Sequence, residues 1–122
     1  MDTKTRLTRY PALHQEVLLL CDRAHRLEQA GTIADPVELN EIEQQASTHL
    51  DEMEALRALI RTLPDVTEQM VLTLRYVDGI NGKPLKWKEV AQKMLGGTAE
   101  KHLKMVFRWH RSALDHLELA AK

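Results

Sequence analysis

Apolar residues in this chain recur at spacings of three and four, the period of helices that each bury one face. Leu13, Val17, Leu20, Ala24 and Leu27 keep that rhythm. Proline is tolerated at a helix start, so Pro11 predicts a first helix over residues 11–30, ending before Gly31. A second helix opens at Asp35-Pro36, with Asp35 as cap, proline in the first turn and Glu38 three residues after the cap. It carries the most regular pattern in the chain: Leu39, Ile42, Ala46, His49, Met53, Leu56, Ile60 and Leu63. Such a heptad rhythm, interrupted only by one histidine, specifies a seam along which the helix packs on another. The first helix offers a matching seam across a short connection at 31–35, which predicts an antiparallel helical hairpin. The same seam could instead join two copies in a homodimer. His49 on it reads as a polar device that sets register.

Leu63-Pro64-Asp65 closes that helix and starts a third. Asp65 and Glu68 have capping-box spacing, and Val66, Met70, Val71, Leu74 and Val77 form the expected buried stripe. Asp78-Gly79 stops it, and residues 79–86, GINGKPLK, read as a loop with an Asn-Gly turn. Trp87, Val90, Ala91 and Met94 then mark a short helix. Gly96-Gly97 follows, suited to the left-handed backbone that ends a helix, and Thr98 is placed to cap the next. That last helix is expected to bury Leu103, Val106, Phe107, Ala113, Leu114 and Leu117. Lys101, Lys104, Arg108 and Arg111 recur between them as a stripe on another side. Short helix, tight turn, longer helix with exposed cations is the order of a helix-turn-helix, whose second helix enters the major groove. An ordinary helical hairpin with a solvated basic face would share the same periodicity.

The chain's 122 residues suffice for one domain, or for a compact domain with a helical appendage. Hydrophobic content of 43% with 29% charge fits a folded chain, and only 4% aromatics favours helices over sheets. The prediction is an all-α protein: a helical hairpin at 1–62, for packing or dimerisation, then a three-helix helix-turn-helix unit at 63–122. With one cysteine no intramolecular disulfide can form, which fits a reducing cytosol and a cytoplasmic protein. No apolar run approaches the roughly 20 residues needed to span a bilayer. Nor does the start lead into a signal-peptide core, since Val17 to Cys21 is too short a run.

The net charge of −1 conceals a division. Residues 1–60 carry six Lys/Arg against eleven Asp/Glu, and residues 61–122 carry eleven against seven. Only the second half is suited to a polyanion. Lys101, Lys104, Arg108 and Arg111 would contact phosphates or base edges of double-stranded DNA. Lys86 and Lys88 would touch the DNA backbone, and Thr98, at a helix start, a phosphate. Other chemistry is thin. His14, Cys21 and His25 share one side of a helix, but a fourth zinc ligand and a metal-binding spacing are missing. Trp109 with Arg108 and Arg111 could stack on bases, but a tryptophan flanking a core stripe reads as cover for the hydrophobic edge. No nucleophile with a base, phosphate-binding loop or paired carboxylates emerges, so the reading is a non-enzyme without metal or cofactor.

From Leu63 onward the order Leu63-Pro64, Arg75-Tyr76, Gly79, Trp87-Lys-Glu-Val-Ala91, Ala113-Leu114 resembles region 4 of the sigma-70 class. It is more similar still to the small phage-encoded regulators built on that region. The resemblance covers about residues 60–117 and implies promoter or operator DNA, or RNA polymerase, as partner. This chain departs from that pattern in its longer loop at 80–86 and in its Gly96-Gly97 turn. The rival reading is a protein-binding module that keeps the sigma-like fold. Its acidic helix, with Glu38, Glu41, Glu43, Asp51, Glu52 and Glu54, would engage a host protein such as RNA polymerase or a nucleic-acid enzyme, for instance a CRISPR effector.

Overall fold

The structure, a computed structural model, describes residues 2–29 and 36–120. The elements are α1 (Thr3–Gln29), α2 (Pro36–Arg61), α3 (Val66–Leu72), a π-helical turn over Thr73–Val77 that continues α3, α4 (Trp87–Leu95) and α5 (Glu100–Ala120). Among the described residues the regular structure is all helical, and the one ladder contact is an isolated bridge between Ile80 and Lys83. No helix is long and apolar enough to cross a membrane. The expected cap Asp35, the stop at Gly31 and the connection between the first two helices lie outside the described residues.

α1 begins at Thr3, not at Pro11, which lies inside it. Two carboxylates make the early start possible by accepting otherwise orphan amides of the first turn. Asp2 Oδ1 takes the Thr5 N–H at 2.7 Å, and Glu118 Oε1, from the far end of α5, takes the Thr3 N–H at 3.0 Å. Hydrogen bonding from Thr5, through its side chain first and its backbone N–H second, also holds the Asp2 carboxyl below its usual range. Pro11 removes one helical donor. In exchange its ring is buried against Gly79, where any side chain would collide with it.

The α2 seam is buried at Ile42, Met53, Leu56 and Ile60, and continues past the helix end to Leu63. It faces Leu13 and Val17 of α1. At full burial each such leucine or isoleucine contributes about 1.5–3 kcal/mol. His49 is half-buried on the seam and meets Glu16 of α1 at 3.0 Å. Further bonds cross between the helices from Arg6 to Glu52 at 2.9 Å and from Arg57 to the Tyr10 hydroxyl at 2.7 Å. The core does not stop at α2. One continuous apolar cluster joins Leu7, Tyr10, Leu56 and Ile60 to Val71, Leu72, Tyr76, Leu85, Val90, Val106 and Leu117.

In α3 the expected stripe is buried only in part. Val71 is buried, and Leu74 and Val77 pack half-buried against the core. Val66, however, is 69% and Met70 47% exposed, while Leu72 and Glu68, outside the stripe, are buried. Asp65 caps as expected, its Oδ1 accepting from Thr67 at 2.8 Å and Glu68 at 3.3 Å. Glu68 makes no reciprocal capping bond. Its carboxylate turns inward, holding His116 Nδ1 and the Ser112 hydroxyl, and so ties α3 to α5.

Candidate nucleic-acid interface

The candidate surface is built outward from the π-helical turn. There the Asp78 N–H reaches back to the Thr73 carbonyl at 2.9 Å, one residue further than in an α-helix. Tyr76 is buried, and Arg75 grips the loop twice. The Arg75 carbonyl accepts the Leu85 N–H at 2.8 Å, and its guanidinium donates to the Leu85 carbonyl. Between these anchors Asn81 and Gly82, with φ of 55° and 77°, make the expected two-residue turn. Ile80 and Lys83 close it with paired backbone bonds of 2.9 and 3.1 Å. The loop at 80–86 is therefore pinned, and it fixes where α4 begins.

Trp87, the first residue of α4, is the hub of an aromatic cluster. The Arg75 guanidinium stands 4.2 Å from its ring centroid, His110 lies edge-on at 4.7 Å and Phe107 edge-on at 5.1 Å. His110 Nε2 also hydrogen-bonds the Tyr76 hydroxyl at 2.6 Å. Burial, with lesser contributions from Arg75 and Lys4, lowers the His110 pKa to about 4, so the ring is uncharged at neutral pH. Burial likewise raises the Tyr76 phenol above its ordinary value.

α4 buries Val90 and Ala91 and ends at Gly96, whose left-handed φ of 71° lets its N–H return to the Gln92 carbonyl. Thr98 does not cap α5. The Ala99 carbonyl receives the first helical amides, from His102 and Leu103, and the Ala99 N–H donates to His102 Nδ1 at 3.2 Å. Gly97 packs on the His102 ring, so the histidine takes the place a hydroxyl was expected to fill. Thr98 is exposed, one residue before the cap.

α5 buries Val106, Ala113 and Leu117 and half-buries Leu103 and Leu114. Phe107, expected in that stripe, is 45% exposed. Lys101, Lys104, Arg108 and Arg111 are all exposed. At about 100° per residue they fall within one sector of about 80°, opposite the buried face. Lys104 pairs with Glu100 at 3.3 Å, both side chains lying well out in water. Among the described residues Lys101, Arg108 and Arg111 make no ion pair. Lys86 and Lys88, the neighbours of Trp87 in sequence, are exposed. Asp115 follows on the same side and ends the cationic surface halfway along the helix.

No protein-family model matches this chain, and no curated protein or solved structure matches it.

The pattern of charges picked out the exposed cations but missed what holds them. Arg75, Tyr76 and His110 carry no periodic signal, because their partners lie ten to 34 residues away in the chain. His14, Cys21 and His25 are exposed along α1, and among the described residues no three metal-binding side chains are grouped to hold an ion. Trp109 is half-buried against the core. Much of the acidic charge on α2 is paired. Glu38 meets Arg23 at 2.7 Å, and Glu54 meets Arg57 at 2.7 Å and Arg61 at 2.8 Å. Glu41 and Asp51 are exposed without such partners.

Proposed function

We propose that α3 to α5 form a helix-turn-helix unit that binds double-stranded DNA, with α5 as recognition helix. The protein would then be a transcriptional regulator of the phage-encoded, sigma-region-4-like kind. In this reading α1 and α2 are an antiparallel hairpin that braces the unit. The observation that carries it is the cationic sector of α5: four exposed Lys/Arg residues opposite a fully buried face, three of them without an acidic partner. Unpaired cations repel one another, and a polyanion relieves that repulsion while releasing its own counterions. The short α4, the left-handed Gly96 after it and the longer α5 follow the element order of the motif. Lys86 and Lys88 would contact the DNA backbone beside α5, and Thr98, lying just before the first turn, a phosphate. The test is enrichment from a random duplex library. The native protein is expected to retain a common sequence, and an Arg108→Glu/Arg111→Glu variant to retain none. Failure of the native protein to enrich any sequence overturns the reading.

A second reading has its own support in the exposed Val66 and Met70 on α3 and the unpaired Glu41 and Asp51 on α2. An apolar ridge and an acidic face suit a basic protein surface, such as that of RNA polymerase or of a nucleic-acid enzyme like a CRISPR effector. A host protein that co-purifies, and is lost on Glu41→Lys/Asp51→Lys reversal, would favour it over DNA.

A further inference from the structure

The cationic sector of α5 is flanked by apolar side chains. Phe107 is 45% and Met105 39% exposed. Phe107 follows Lys104 by three residues and precedes Arg111 by four, so it stands beside both cations on the helix surface. A phenylalanine can neither bond a phosphate nor pair with a guanine edge. It would serve no purpose in a purely electrostatic grip.

Its ring is also held in place. Phe107 meets Trp87 edge-on, at 81° between planes. Trp87 is clamped in turn by Arg75 and His110, and Arg75 is tied to the backbone of Leu85. An aromatic side chain already braced loses little freedom when it binds. Within the major groove the apolar feature of the base edges is the C5-methyl group of thymine, which favours contact with side chains such as phenylalanine.

We propose that Phe107 reads thymine methyl groups, so that the duplex preferred by α5 contains thymine facing the middle of the helix. This rests on the DNA reading above and adds to it a base preference that cations alone do not supply. Lys104 and Arg111, its neighbours on the helix surface, would hold phosphates while the ring selects the base.

Deoxyuridine differs from thymidine only in lacking that methyl, which gives a direct test. The probe is the duplex enriched from the random library, with each thymine replaced singly by deoxyuridine. For the native protein, at least one replacement is expected to weaken binding about fourfold, the effect of withdrawing one buried methyl-sized group. In Phe107→Ala the same replacement should change binding less than about 1.5-fold, because the ring that sensed the methyl is gone. The native arm needs no variant and so stands whether or not Phe107→Ala folds. If no duplex is enriched, the DNA reading falls and this inference with it. If a duplex is enriched but every thymine can be replaced without loss, only this inference is overturned. An undiminished fourfold loss in a folded Phe107→Ala overturns it too.

Discussion

Tyr76 and His110 are joined by a 2.6 Å hydrogen bond between the phenolic oxygen and Nε2, which locks the π-helical turn to the middle of α5. The bond lies directly behind the proposed reading surface, since His110 also packs on Trp87. Its chemistry makes stability depend on pH. Burial, aided by Arg75 and Lys4, lowers the histidine to about 4, whereas in the unfolded chain it titrates near its ordinary value of 6.5. Between these values the unfolded chain binds a proton that the folded chain does not. The stabilisation is therefore complete above pH 6.5 and is lost as pH falls toward 4. Because the ring is only partly buried, we expect the effect to be about 1–2 kcal/mol rather than the full value of the shift. Thermal melts from pH 8 to pH 4 should show this loss, and His110→Gln should flatten it. An unchanged slope in the variant would assign the pH dependence elsewhere.

Glu68 should be the most sensitive polar position. It is 3% exposed and spends its carboxylate on His116 and Ser112. Glu68→Ala strips His116 and Ser112 of that partner, and we expect a loss of about 1–3 kcal/mol in urea unfolding. Ser112→Ala, whose bond is long at 3.4 Å, should cost less than about 1 kcal/mol. A neutral Glu68→Ala would show that α3 and α5 are held by apolar contact alone.

Leu56→Ala or Ile60→Ala should each cost about 2–5 kcal/mol, since both side chains are buried in the seam. Leu18→Ala, on the exposed side of α1, should stay within about 0.5 kcal/mol. Equal effects would contradict the packing of α1 on α2. Sedimentation at several concentrations would show whether exposed leucines such as Leu18 and Leu19 also join two copies.

These positions show how far the apolar pattern can be read. On α2 a long, regular stripe leaves one face to bury, and Met53, Leu56, Ile60 and Leu63 lie there. On the short α3 the pattern holds only in part. Val71 is buried and Leu74 and Val77 half-buried, but Val66 and Met70 are exposed. The buried side also takes in Leu72 and Glu68, whose carboxylate meets His116, 48 residues away. Pro11 misled for a similar reason, because its place inside α1 depends on Gly79 leaving room for its ring. The cations of α5 were legible because exposed charge follows helical period. The brace beneath them was not, because a π-helical turn and the reach of Arg75 to Leu85 leave no trace in hydrophobic spacing.

Gly96→Ala should destabilise the fold by about 1 kcal/mol, because a side chain at φ 71° is strained even though nothing lies within 4 Å of it. Gly97→Ala meets a different obstacle, the His102 ring. Its cost should fall when His102 is also changed to Ala. A Gly97→Ala cost as large in the His102→Ala background as in the native chain would contradict that packing.

The central claim, that the cationic sector of α5 meets duplex DNA, is tested most directly by the salt dependence of binding. Each phosphate contact contributes about −0.9 to the slope of log K against log salt concentration. Titrating the enriched duplex from low to moderate salt should give a steep negative slope for the native protein. Arg108→Ala should flatten it by about one unit, as should Lys101→Ala if its amine meets a phosphate. Glu41→Ala, on the far side of the protein's charge division, should leave it unchanged. A native slope near zero, or one that Arg108→Ala alters no more than Glu41→Ala does, would contradict the claim.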